Sequence, residues 1–252
     1  MPATMKSKPW LPYIVPMGIY MAFLLVQSDA NLLWIYPAKT IAVAVALIYF
    51  RKEYVELCSP MWCRGASVKR REDSTVCASQ KRSYNGATST AASGPSAQQS
   101  WLLAVIVGLV AIAIWIGIDS FYPKFGHATP FDPTTIEPMA NRNVFIVFRV
   151  VGAVLVVPVM EELFWRAFLI RWLVNEDFKS VPVGTFTWLS FGVTVALFGG
   201  EHSEWLAGLI CGALYNWLYY KRKDVFACVV AHAVSNAALA AWVLSRGDWK
   251  FW

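Results

Sequence analysis

Charge is scarce in this chain: Lys, Arg, Asp and Glu together make up 15% of its 252 residues, against 57% hydrophobic. An ordinary soluble domain of this length carries far more polar surface, so that class is excluded. Histidine is scarcer still, with three copies, and no HExxH pair is present to put two imidazoles and a base on one helix face. No CxxC pair occurs, so the five cysteines lack the spacing of a zinc ribbon or a redox site. The chain also has no internal repeat, and its first apolar run lacks a small-residue cleavage site, which leaves that run as an anchor rather than a removable signal.

What the chain does have is apolar runs of membrane length. A bilayer needs about 17 to 25 apolar residues per helical span. Seven runs fit, over 11–27, 32–50, 101–118, 144–173, 184–198, 205–220 and 225–244. The expected fold is therefore an all-α, polytopic membrane helix bundle of seven to eight spans around a polar cavity. The 13 tryptophans agree with it, since indole favours the membrane interface.

Three regions follow from this reading: an N-terminal membrane hairpin over 1–57, a polar segment over 58–100, and a membrane core over 101–252. The middle segment, with KRRED followed by SYNGATSTAASGPSAQQS, reads as a disordered cytoplasmic loop. Its Cys58, Cys63 and Cys77 read as free thiols, and Cys211 and Cys228 as small packing residues within spans. With seven alternating spans, Lys6, Lys8, the 51–82 segment, Arg171, Lys179 and the run from Lys221 to Lys223 share one side. Lysine and arginine collect in cytoplasmic loops, so that side and the N-terminus are expected in the cytoplasm. The net charge of +6 reads as a topology signal with affinity for the lipid bilayer, and no aromatic-basic stripe supports a nucleic-acid partner.

Within the fourth run lies VVPVMEELFWRAF. An ionisable residue at the centre of a spanning helix costs on the order of 2.5 to 3.5 kcal/mol. Glu162 and Arg166, four apart with the acid first, share a helix face and are expected to pair. Glu161 points about 100° away and has no base three or four positions on. His202 closes FGGEH four residues after Phe198. His232 and Asn236, also four apart, share a face of the last span. Each feature alone is commonly structural. Together, several polar clusters on separate spans are most economically satisfied by one hydrated cavity. Pro158 is positioned to kink the helix before Glu161, and Gly199 with Gly200 to break the next one below the membrane surface. Phe164, Trp165, Phe168 and Trp205 are expected mostly to face lipid.

EELFWR, FGGEH and HAVSN resemble the EExxxR, FxxxH and HxxxN motifs of the CAAX-protease and bacteriocin-processing family of intramembrane proteases. The likeness covers about residue 140 to the C-terminus. VVPVMEELFWRAFLIRW and EHSEWLAGLICG also resemble the CAAX-protease-related proteins that accompany bacterial exosortase systems, which implies a bacterial inner membrane. The resemblance implies an endopeptidase in which Glu161 is general base on a water, His202 holds and polarises that water, and His232 and Asn236 donate to the oxyanion. Glu162, Arg166 and Phe198 would support them. It further implies a membrane-anchored peptide or protein tail, prenylated or otherwise lipid-anchored, as substrate. A carboxylate-activated water needs no cofactor, and no metal is expected; zinc held by the two Glu and two His is the alternative mechanism. A non-catalytic membrane scaffold or immunity-type factor of the same fold is the alternative function.

Overall fold

The computed structural model describes residues 8–28, 31–57, 97–126 and 131–252. Seven main helices carry them: α1 Leu11–Val26, α2 Leu32–Phe50, α3 Ala97–Gly117, α4 Met139–Trp172, α5 Trp188–Gly200, α6 Trp205–Arg222 and α7 Val225–Arg246. Among the described residues there is no strand. Three helical stretches, Leu32–Glu53, Met139–Trp172 and Val225–Arg246, are long and apolar enough to cross a membrane, and Leu11–Val26, Trp101–Gly117 and Trp188–Gly200 are shorter apolar helices. The polar segment expected over 58–100 lies outside the described residues up to 96, with its three cysteines; its last four residues already belong to α3.

Local chemistry sets several boundaries. Thr187 caps α5 by accepting from the Ser190 amide, and Asp224 caps α7 by accepting from the Phe226 amide. Gly247, with φ of 68°, ends α7 in the left-handed conformation that glycine adopts without a steric cost.

The distribution of polarity is inverted relative to a soluble protein. Leu25 and Trp188 are 88% and 77% exposed, while Glu162 and Arg166 are 0% and 1% exposed. Apolar side chains turned outward and charges turned inward are what a lipid solvent selects. The molecule is an integral membrane protein.

Close helix approach depends on small residues, as it does where lipid supplies no hydrophobic drive to pack helices. On α3, a side chain at Gly108 would run into the Ala231 carbonyl of α7. Between α5 and α6, a Cβ on Gly208 would lie 3.0 Å from the Gly199 Cα. Gly199 is thus a packing position. Helix α5 continues through both Gly199 and Gly200, so the expected break there does not occur; the chain turns only afterwards, over 201–204.

Helix α4 is not uniform. It widens into π turns over Gly152–Val156 and Leu163–Leu169, with the α segment Val157–Glu162 between them. Such wide turns are uncommon and concentrate at functional sites. Pro158 accounts for part of the first. In the π turn the Val157 amide donates to the Gly152 carbonyl, so the Ala153 carbonyl would next look to residue 158, which has no N–H. The Asn236 side-chain amide donates to it instead, at 2.7 Å.

The two ends of the bundle differ. At the end carrying Lys8, Arg51, Lys179 and Lys221, a buried Arg171 bonds Glu56 at 2.6 Å, and the Tyr13 hydroxyl donates to the other oxygen of Glu56 at 2.8 Å. At the opposite end Asp119 bridges Lys124 and Lys250, each at 3.0 Å, and the Trp205 indole donates to the Pro123 carbonyl. The aromatic residues expected mostly to face lipid divide: Trp165 and Phe168 are 4% and 5% exposed and belong to the core, because the second π turn carries them inward, whereas Phe164 and Trp205 are half-buried.

Candidate active site

A cavity of about 390 Å³ opens inside the bundle, lined by residues of all seven helices. Glu161, His202, His232, Asn236 and Phe198 all line it. The adjacent glutamates of α4 separate as neighbours on a helix must: Glu161 borders the cavity, and Glu162 does not.

Glu162 is held from two sides. Arg166 Nη1 lies 3.2 Å from its Oε1, and His232 Nδ1 lies 2.9 Å from the same oxygen. The Arg166 guanidinium is in turn fixed by the Asn216 carboxamide oxygen at 3.2 Å and the Gly212 carbonyl at 3.3 Å, and it stacks over the Phe198 ring at 4.9 Å. Asn216 passes the network on, donating to Thr194 Oγ1 at 2.9 Å. Each of these groups is almost wholly removed from solvent, where a charge must be paired and hydrogen-bonded to persist.

Glu161 stands apart from that network. Its Oε2 is buried and has no hydrogen-bond partner among the described residues. A carboxylate oxygen left open on a polar cavity is available to a water or a substrate group.

The imidazoles are oriented by their Nδ1 atoms. His202 Nδ1 lies 2.7 Å from the Phe198 carbonyl, and a carbonyl only accepts, so Nδ1 carries hydrogen, and in the neutral ring Nε2 then has a lone pair. His232 Nδ1 donates to Glu162 in the same way, and its ring stacks on Tyr215 at 5.3 Å. The Tyr215 hydroxyl shares a 2.6 Å bond with Ser235, which donates to the His232 carbonyl. Asn236 lines the cavity while holding the Ala153 carbonyl with one of its two amide hydrogens.

Reading the sequence missed a second cavity carboxylate. Glu201 sits inside FGGEH itself, lines the cavity, and keeps a buried Oε1 without a hydrogen-bond partner among the described residues. That oxygen is 4.0 Å from His202 Nδ1. Asn216 was also missed, although an asparagine in an apolar helix carries the same insertion cost that drew notice to Asn236. Arg149 and Glu204 line the cavity as well. Among the described residues no three His, Cys, Asp or Glu side chains converge closely enough to hold a metal ion.

Fold and site together define a polytopic membrane protein with a glutamate- and histidine-lined cavity inside a helix bundle. Residues 143–238 match the family model of type II CAAX prenyl endopeptidase Rce1-like proteins. This region of the chain is similar to that family, and it contains Glu161, Glu162, Arg166, Phe198, His202, His232 and Asn236. The chain matches none of the curated proteins and none of the solved structures with which it was compared.

Proposed function

We propose that the protein is an intramembrane endopeptidase that hydrolyses a peptide bond in a membrane-anchored protein or peptide tail by glutamate-activated water. The observation that carries this reading is the division between the two glutamates: Glu162 is bound by Arg166 and His232, while Glu161 presents an oxygen with no partner to the cavity shared with both histidines. Glu161 takes a proton from the attacking water, and the His202 Nε2 lone pair orients that water by accepting its second hydrogen. Attack on the scissile carbonyl places negative charge on its oxygen. The second amide hydrogen of Asn236 is a donor for it. His232 is a second donor when its ring is an imidazolium, with Glu162 balancing the charge at Nδ1. The proton taken by Glu161 passes to the departing amine, which closes the cycle without a metal.

The cavity belongs to the end of the bundle remote from the basic loops. Its lining includes Ser203, Glu204, Phe251 and Trp252 from that end. Among the described Lys and Arg, Lys124, Arg142, Arg246 and Lys250 flank helices there, whereas Lys8, Arg51, Lys52, Arg171, Lys179, Lys221, Arg222 and Lys223 lie at the opposite end. By the bias of Lys and Arg towards cytoplasmic loops, the N-terminus is cytoplasmic and the site opens on the outer face of a bacterial inner membrane.

The test is mass-spectrometric detection of cleavage of a library of tail peptides, free and prenylated, by the wild type and by Glu161→Gln in detergent, with and without chelator. Cleavage by wild type alone, unaffected by chelator, is the expected result. Cleavage that a chelator abolishes and zinc restores would replace it with the metal mechanism; folded protein that binds tails without cutting them would favour the scaffold function.

A further inference from the structure

Two positive charges share one aromatic ring, Tyr36, at the far side of the cavity: Arg149 lines the cavity, and Lys39 is buried behind it. Lys39 Nζ of α2 lies 4.3 Å from the Tyr36 ring centre, and the Arg149 guanidinium of α4 lies 4.8 Å from the same centre. Arg149 is also over the Trp252 ring at 5.0 Å, and Lys39 over Tyr20 at 4.8 Å. Lys39 donates to the Gln27 side chain at 3.0 Å, which is neutral. Among the described residues no carboxylate lies within ion-pair distance of either cation. Tyr20, Tyr36, Trp252 and Arg149 all border the same cavity as Glu161.

Like charges around one ring repel, and the faces of tyrosine and tryptophan offset only part of that. Lys39 is 3% exposed. Residues of this kind inside a membrane bundle mark a site for a charged ligand.

We infer that Arg149, reinforced by the positive charge of the buried Lys39 behind the cavity wall, forms an oxyanion-binding subsite that seats the terminal carboxylate of the substrate tail. The planar fork of arginine matches a carboxylate with two parallel hydrogen bonds. A lipid phosphate shares this chemistry. Arg149 stacks on Trp252, beyond the end of α7, so the subsite lies nearer the outer helix ends than Glu161 does. The peptide end is favoured because the cavity that Arg149 lines runs on to Glu161. This inference deepens the proposed function and rests on it for the identity of the ligand.

The geometry of α4 also sets a ruler. Glu161 is twelve residues beyond Arg149. A plain α-helix would leave it about 120° round from Arg149, but the π turn between them accommodates one extra residue and takes back about 100°, so both groups reach one cavity. With one residue taken up by the π turn, eleven rises of 1.5 Å make about 16 to 17 Å, the length of about five residues of extended peptide. Cleavage is therefore expected four to six residues from the carboxyl end.

The experiment measures binding and cleavage separately. Fluorescent tail peptides ending in a free carboxylate or in an amide are titrated by anisotropy into full-length protein in phosphatidylcholine nanodiscs, and again in nanodiscs containing phosphatidylglycerol. The wild type is expected to bind the carboxylate form about tenfold tighter or more. Arg149→Gln abolishes the preference, and Arg149→Lys keeps part of it. Equal binding of the two forms by the wild type would overturn the subsite without any variant having to fold. A preference that survives in Arg149→Gln would overturn the assignment to this residue. A preference erased by phosphatidylglycerol would give the subsite to lipid. Should Glu161→Gln cut as the wild type does, the glutamate mechanism fails while the anisotropy result still decides the subsite.

Discussion

Glu162 and Arg166 show how much one buried pair controls at the scale of single residues. Arg166 makes an ion pair, two further hydrogen bonds and a ring stack, so Arg166→Ala strands a carboxylate in the bundle. The expected loss is about 3 to 5 kcal/mol, read as a lower unfolding temperature in detergent. Arg166→Lys is expected to recover little, because a point charge cannot reach Glu162, Asn216 and Gly212 together. If Arg166→Ala unfolded and cleaved like the wild type, both the pairing and the supporting role would be wrong. The pair was legible in the sequence from its i, i+4 spacing, and so was the orphaned state of Glu161. The contact from His232 to Glu162 was not, since it joins residues 70 apart through the packing of α4 on α7. Lys39 stands in the middle of LLWIYPAKTIAVAVALIYF, where its insertion cost is as visible as that of any glutamate. What the run could not disclose is that Arg149 meets it at the Tyr36 ring.

At the scale of elements, the seven helices follow the seven apolar runs closely, because burial in lipid makes length and hydropathy the main determinants of a span. Departures from regular helix were harder to read. Pro158 announced a disturbance in α4, but its form, a π turn completed by a side chain from another helix, depends on where Asn236 lies. A double-mutant cycle tests this arrangement. Asn236→Leu leaves the Ala153 carbonyl without its donor and is expected to cost about 1 to 3 kcal/mol. In a Pro158→Ala background, which restores a backbone N–H at that turn, the same change is expected to cost about 1 kcal/mol less. Additive losses in the unfolding temperature would separate Asn236 from the turn. The α3–α7 contact has its own test. Gly108→Ala drives a methyl into the Ala231 carbonyl and is expected to destabilise by about 1 to 3 kcal/mol, whereas Gly117→Ala, with nothing within 4 Å, leaves the unfolding temperature nearly unchanged or raises it.

For the whole molecule, the question is which compartment the cavity serves. The two ends are distinguished by Lys179, at the basic end, and Ser203, at the cavity mouth. With Cys58, Cys63 and Cys77 replaced by serine, a cysteine at 203 in intact cells is expected to react with a membrane-impermeant maleimide, and one at 179 only after lysis. The reverse pattern would turn the protein over and make its substrates cytoplasmic. The expected orientation rests on charge asymmetry, which acts on each loop as it is inserted. The depth of the site is not legible in the sequence, since it depends on how far α4 and the turn after α5 reach towards each other.

Each π turn in α4 is equivalent to one residue inserted into an α-helix. The spacing along this helix therefore carries as much information as its side chains. Deleting one valine from the π turn over 152–156 would return that turn to α geometry and keep Arg149 and Glu161 in phase, whereas deleting Val159 from the α segment between the two π turns would leave hydropathy, charge and every named site residue in place, yet rotate all that follows by about 100° against all that precedes it. Such a protein would still insert as a bundle while losing its site. A deletion scan along α4 should accordingly show a sharp phase dependence that a substitution scan over the same apolar positions would not reveal.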